Sequence, residues 1–348
     1  MSGVHFHPAK FISQLPSILI SRLSNPGDLV VDPYCGSGTT LMEAQRLGRR
    51  CFGSDINPVS VLISSAKTLP MTAADARQVL DVSIRAATHA EPSDRLAIPS
   101  TVQAAKWYSP SVAMSLAAIH ADIEATSNAD ARVLKTFCFS SVLLKVCRET
   151  RHYGYVCDNT APKDDPERRV VDILARAANE IVEAFAERSS PKASATILEC
   201  PASEITEHLD DQSVDLVVTS PPYEGVVDYI KTQRLTLEWL GIDLEQLRKR
   251  ETGARSKRHR IKAAADFASE LKQSFSAIHR VLKPGAPCAV VFGVSPHRTF
   301  TFDNLLDVLR QAGFELRSDH LRDVPVQRRM MPSVLNERLF VLTKPLGD

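Results

Sequence analysis

The sequence predicts a doubly wound, mostly parallel α/β sheet, interrupted by a helical insertion and closed by an antiparallel hairpin. Three observations carry this expectation. The apolar run Leu29, Val30 and Val31 passes through Asp32 into a glycine-rich turn and then an amphipathic helix, the strand-turn-helix unit of a parallel sheet. A second run, Cys51-Phe52-Gly53-Ser54, ends on an acid, Asp55. A third, Val214 to Val218, leaves through Thr219-Ser220-Pro221-Pro222-Tyr223. Ligands of such sheets lie beyond the carboxyl ends of the strands, so Asp32, Asp55 and Ser220 are expected along one edge.

Composition bounds the reading without deciding it. A chain of 348 residues, 44% hydrophobic and 24% charged, can bury a large core as one enlarged domain or two. Its formal net charge of +1 leaves any attraction for nucleic acid to local basic patches. The seven cysteines are scattered without a Cys-x-x-Cys pair, so no metal site is expected and the thiols read as reduced. The first residues are His-rich and interrupted by Pro8 and Pro16, with no basic-then-apolar leader, and no apolar run is long enough to span a bilayer. A cytoplasmic protein without membrane contact is the expectation.

Around the first turn, Pro26-Gly27 opens the strand, and Gly36 and Gly38 let the backbone approach a ligand closely. Thr40 with Glu43 reads as a capping box for a helix through Leu41, Ala44 and Leu47. The N–H groups of such a turn suit a carboxylate or phosphate, and Asp55 could accept both hydroxyls of an adenosine ribose. The third glycine of the dinucleotide fingerprint is missing, which disfavours NAD.

Together, Asp32-Pro33-Tyr34-Cys35-Gly36-Ser37-Gly38-Thr39-Thr40 and Asp55 resemble the cofactor site of S-adenosylmethionine-dependent amino-methyltransferases. The pattern there is Asp-Pro-Phe-x-Gly-Ser-Gly-Thr-Thr, with Tyr34 here in place of Phe. The resemblance implies a Rossmann-like methyltransferase sheet and S-adenosyl-L-methionine as cofactor, held by Asp32, Pro33, Tyr34, Gly36, Ser37, Gly38, Thr39, Thr40 and Asp55. It adds Lys10 and Phe11, because a His-Pro-x-Lys-Phe segment closes over the cofactor in that family. The turn Cys200-Pro201-Ala202-Ser203 departs from it by lacking the Asp that many relatives direct at the adenine.

The helical stretch is expected over residues 66–194, with helices from Ala74 to Ala90, Pro110 to Thr126, Ala131 to Arg148 and Pro166 to Arg188. The catalytic domain is then 1–65 with 195–348, and the insertion is a candidate target-recognition region. Between its last two helices, Arg151, Tyr153 and Asn159 sit in a polar, aromatic loop suited to phosphate contact, base stacking and edge reading. A loop packed on its own aromatics is the plain alternative.

In the turn Ser220-Pro221-Pro222-Tyr223 two prolines supply no N–H, leaving the Ser220 hydroxyl and backbone carbonyls as acceptors beside an aromatic face. A flipped base could donate its exocyclic amine to those acceptors while stacking on Tyr223. These four residues are the expected catalytic group. A helix from Asp228 through Arg234 to Trp239, ended by Gly241, follows as in the family, with Arg234 facing substrate or held in an ion pair. Arg255, Lys257, Arg258 and Arg260 then lie in a basic run from Arg248 to Lys262, which reads as a phosphate-contacting loop. Cys288 leads straight into a strand and reads as core rather than as a nucleophile.

The expected activity is direct methyl transfer to an exocyclic amine of double-stranded DNA with the target base flipped, N4 of cytosine ahead of N6 of adenine, because Ser rather than Asp precedes Pro-Pro-Tyr. The role is restriction-modification or epigenetic marking, with a cognate nuclease as a candidate partner. An RNA guanine-N2 methyltransferase and a non-catalytic nucleic-acid-binding subunit are the other readings carried forward.

Overall fold

A computed structural model describes residues 12–89, 97–148, 170–188, 193–224, 228–253, 262–294, 300–323 and 336–347. By its internal contacts the chain divides into two compact units, one built on residues 7–64, 191–229 and 248–348, the other on 65–190 and 230–247.

The first unit is a seven-stranded sheet: β1 Leu29–Asp32, β2 Arg50–Asp55, β3 Ala195–Glu199, β4 Leu216–Thr219, β5 Pro287–Gly293, β6 Glu315–Asp323 and β7 Asn336–Thr343. Their spatial order is β3-β2-β1-β4-β5-β7-β6. The first five are parallel, and β7 runs antiparallel between β5 and β6 as the closing hairpin. The doubly wound α/β class follows. The order reverses at β1, whose neighbours are β2 and β4, the switch point at which ligands of such sheets bind.

Apolar runs make these strands because both faces are covered. Val30, Leu41, Ala44, Cys51, Leu216 and Val218 fill one side, and Val31, Val217, Phe275, Ile278, Val290 and Phe292 fill the other. Helix Thr39–Arg46 seats on β2 through a missing side chain: a Cβ at Gly53 would lie 2.4 Å from Leu41 Cδ1. The fourth strand begins two residues later than its apolar run. Val214 makes only an isolated bridge to Leu282, while the Asp215 carboxylate accepts the Leu29 N–H at 2.8 Å and pairs with Lys283.

The second unit is helical, with Ala73–Thr88, Pro110–Ala125, Ala129–Val146 and Val170–Glu187 packed together. Thr72, Ser109 and Asn128 cap three of them through side-chain oxygens. Helix Ala129–Val146 is apolar almost all round because it is the buried one, with Leu134, Phe137 and Val142 fully covered. The expected helix over 228–240 is broken, since Gln233 leaves helical geometry (φ −113°, ψ 13°) between Tyr229–Thr232 and Arg234–Trp239.

Candidate cofactor and base-amine site

The glycine turn is tighter than its sequence suggests. Gly36 and Gly38 have φ of 49° and 73°, and Gly38 rather than Thr40 caps helix Thr39–Arg46, with the Met42 N–H donating to the Gly38 carbonyl. The expected Thr40–Glu43 capping box does not form. Thr40 lies inside the first turn, fully buried, and Glu43 pairs instead with Arg46 at 2.8 Å. A Cβ on Gly38 would stand 2.8 Å and 2.9 Å from Ser64 Cβ and Cα, so the loop rests on helix Pro58–Thr68 where only glycine fits.

Asp55 clamps this loop. Its Oδ2 accepts the Gly36 N–H at 3.0 Å and its Oδ1 the Asn57 N–H at 2.9 Å. The Ser60 hydroxyl is close enough to this carboxylate to favour its ionised form as well. Asn57 then caps the next helix, its Oδ1 accepting the Val59 N–H at 3.0 Å. Burial pushes the Asp55 carboxyl up to about 6, against the pull of its bonds to the Asn57 and Gly36 amides.

Asp32 is the buried partner, 2% exposed. Its Oδ1 accepts the Thr219 hydroxyl at 2.7 Å and the Tyr34 N–H at 3.2 Å. Burial raises this carboxyl too, to about 6; Thr219 opposes the rise, and the Thr40 hydroxyl is near enough to help without meeting hydrogen-bond geometry. Pro33, Ser37 and Gly38 are buried, while Tyr34, Gly36 and Thr39 are half-buried. The Tyr34 hydroxyl, the feature that separates it from Phe, is buried, with Ser274 near it but outside hydrogen-bond geometry.

Thr219 ends β4 beside β1, so the bond to Asp32 joins the first motif to the second. Ser220, Pro221, Pro222 and Tyr223 follow directly, with Pro221 buried and the others half-buried. The Tyr223 ring meets Phe292 edge-on at 5.2 Å, and its hydroxyl donates to Glu337 Oε1 at 3.0 Å. Glu337 Oε2 takes Arg322 at 2.6 Å, across the β6–β7 register. Ser220 Oγ lies 3.5 Å from the Tyr223 hydroxyl. Sequence reading passed over Thr219, Phe292, Arg322 and Glu337 as site residues. Only Thr219 carried a signal, its place beside the proline turn.

Cys288 is fully buried on β5, and burial drives its thiol well up, so it offers no nucleophile. Among the described residues no cluster of His, Cys, Asp or Glu could hold a metal, and no helix is long and apolar enough to cross a membrane. Arg234, in the helical unit, has its Nε 2.5 Å from Glu238 Oε1 and its guanidinium over the Trp107 ring at 5.4 Å. Lys10, Phe11, Arg151, Tyr153, Asn159, Arg255, Lys257, Arg258 and Arg260 lie outside the described residues.

Residues 2–65, which include the whole glycine turn and Asp55, match the family described as DNA methylase. The likeness to that family thus lies on the segment that carries the cofactor turn. The chain's similarity reaches further in type II methyltransferase M.MvaI of Kocuria varians, 28% identical over 265 residues, which are 69% of this chain and 58% of that one. M.MjaII of Methanocaldococcus jannaschii is 42% identical over 65 residues, 19% of this chain and 12% of that one. M.PvuII of Proteus hauseri is 38% identical over 69 residues, 20% of each. The matched stretch therefore spans less than two thirds of each relative. The matched segment carries the residues expected to hold S-adenosyl-L-methionine, Asp55 among them.

Proposed function

We propose that this protein is an amino-methyltransferase that acts on DNA and methylates an exocyclic base amine, N4 of cytosine in the first place. The observation that carries the reading is the Thr219–Asp32 bond, because it holds the acceptor turn at Ser220 beside the strand ends that carry Asp32 and Asp55. When bound, the cofactor would supply a sulfonium methyl group to the amine nitrogen: the sulfur–methyl bond would break as the nitrogen–methyl bond forms, leaving a neutral thioether, and one amine proton would pass to water.

The protein's share is orientation and charge acceptance. Asp55 would hold the ribose and the turn from Asp32 to Thr40 the rest, with Lys10 and Phe11 as further contacts by resemblance. Ser220 Oγ and the Pro221 carbonyl accept the two amine hydrogens, turning the nitrogen lone pair out of the base plane and stabilising positive charge as it develops. Tyr223 offers the face on which an extruded base stacks. No covalent intermediate is called for, in keeping with a buried Cys288.

Ser220, where adenine-N6 relatives more often carry Asp or Asn, favours cytosine. The helical unit with Arg151, Tyr153 and Asn159 would read the target, Arg234 would face it, and Arg255, Lys257, Arg258 and Arg260 would contact phosphate. A cytoplasmic restriction-modification or marking role, with a cognate nuclease, completes the proposal. The test is to methylate DNA with the purified protein, digest to nucleosides and identify the product by mass spectrometry. N4-methylcytosine is expected. N6-methyladenine alone would refute the base assignment, and methylation of RNA alone would refute the substrate class.

A further inference from the structure

Serine differs from Asp or Asn before Pro-Pro-Tyr in one respect that matters here. A carboxylate or amide oxygen accepts a hydrogen bond whatever its surroundings, whereas a hydroxyl carries its own proton and can point it at the incoming amine. A Ser220 hydroxyl serves as an acceptor only if that proton is directed elsewhere.

The closing hairpin supplies the direction. Glu337 Oε2 is held by Arg322 at 2.6 Å, and Oε1 takes the Tyr223 hydroxyl at 3.0 Å. The phenol has a single proton, so once that proton is committed to Glu337 its oxygen can only accept. The Ser220 hydroxyl is set to donate to it, oxygen to oxygen 3.5 Å. The bond is long, as catalytic hydrogen bonds often are before the substrate closes the site.

We infer that Glu337 is a positioning residue: through Tyr223 it orients the Ser220 hydroxyl so that the Ser220 lone pairs, not its proton, face the substrate amine. This rests on the methyltransferase reading above. Donation then runs one way, from amine to Ser220 to Tyr223 to Glu337, with Arg322 as its anchor. The edge contact of the Tyr223 ring with Phe292 at 5.2 Å keeps the phenol in line. The chain links a turn in mid-sequence to the start of β7, 114 residues later.

Glu337→Gln tests the direction rather than the packing. Arg322 donates only, so it takes the amide oxygen and leaves the amide nitrogen to donate to the Tyr223 oxygen. The phenol proton must then turn to Ser220, and the Ser220 proton toward the amine. Turnover at saturating unmethylated genomic DNA, with tritiated S-adenosylmethionine, should fall roughly tenfold or more, on the scale of one lost transition-state hydrogen bond. Melting temperature and cofactor affinity by calorimetry should stay at wild-type values. In Tyr223→Phe the relay is already cut, so adding Glu337→Gln should change turnover no further. In Ser220→Asp the acceptor needs no orientation, and Glu337→Gln should again be silent.

Wild-type turnover in Glu337→Gln, a loss accompanied by weaker cofactor binding, or an undiminished loss in the Tyr223→Phe background would overturn the assignment. A wild-type protein that binds cofactor yet methylates no DNA would overturn the transferase reading itself, and the orienting role with it.

Discussion

Thr219 and Asp32, 187 residues apart in sequence, share a 2.7 Å hydrogen bond at the carboxyl ends of neighbouring parallel strands. It is buried, and it removes a donor and an acceptor from an apolar setting at once. Thr219→Val should therefore destabilise the protein by about 1–3 kcal/mol, since Asp32 is left under-satisfied. Urea unfolding monitored by circular dichroism measures this. An unchanged midpoint would show that Asp32 draws its support elsewhere.

With Asp55 as the proposed ribose ligand, its raised carboxyl should make cofactor binding sensitive to pH. In the free protein its pKa is about 6, and a ribose diol is held by the ionised form, so affinity should be level above about pH 7 and fall as pH drops through 6. Binding near pH 6 should release protons, visible as calorimetric heats that change with the buffer's ionisation enthalpy. Asp55→Ala should bind about 1–3 kcal/mol more weakly and lose the pH dependence. Affinity independent of both changes would take Asp55 out of the site.

Stability in the absence of cofactor should carry the opposite trend. Asp32 and Asp55 are raised from 3.8 to about 6, so the folded state binds more protons than the unfolded one between those values. Their contribution is therefore fully present below about pH 4 and is lost as pH rises through 6. Comparing unfolding free energies of wild type and Asp32→Asn across that window isolates it; parallel curves would contradict the shift.

Tyr34 is the one departure from the family's glycine turn, and its hydroxyl is buried, with Ser274 near it but outside hydrogen-bond geometry. Tyr34→Phe should leave stability unchanged or raise it by about 1 kcal/mol, because an unmet desolvation penalty is removed. Weaker cofactor binding by this variant would show that the hydroxyl is reserved for the ligand.

Arg234 is engaged with Glu238, whose side chain is only 3% exposed, and with Trp107. Removing it strands a buried carboxylate, so Arg234→Ala should lower the melting temperature. If Arg234 also meets phosphate, the salt dependence of DNA affinity should become shallower by about one unit of slope. Loss of stability with an unchanged slope would leave it a purely structural role.

How far the chain could be read in advance depended on whether the deciding contacts were local. Leu29 to Asp32 and Cys51 to Asp55 announced their strands because buried parallel strands are apolar throughout and end where the ligand begins. Asn57 before Pro58 could have been found by the same local rule, as a cap followed by a first-turn proline. The start of helix Thr39–Arg46 was misplaced because the capping pattern at Thr40 is outweighed by Gly38, whose left-handed backbone and contact with Ser64 begin the helix two residues sooner. The break at Gln233 has no proline or glycine to mark it. Nothing near Tyr223 points to Glu337, which reaches it only through the pairing of β5 with β7.

Asp55 has one further consequence through its bond to Gly36. The residue that would receive the ribose also fixes the loop beneath it, so the binding surface takes its shape during folding rather than on encounter. Little conformational freedom is left for the cofactor to quench in that loop, and more of its contact energy survives as affinity.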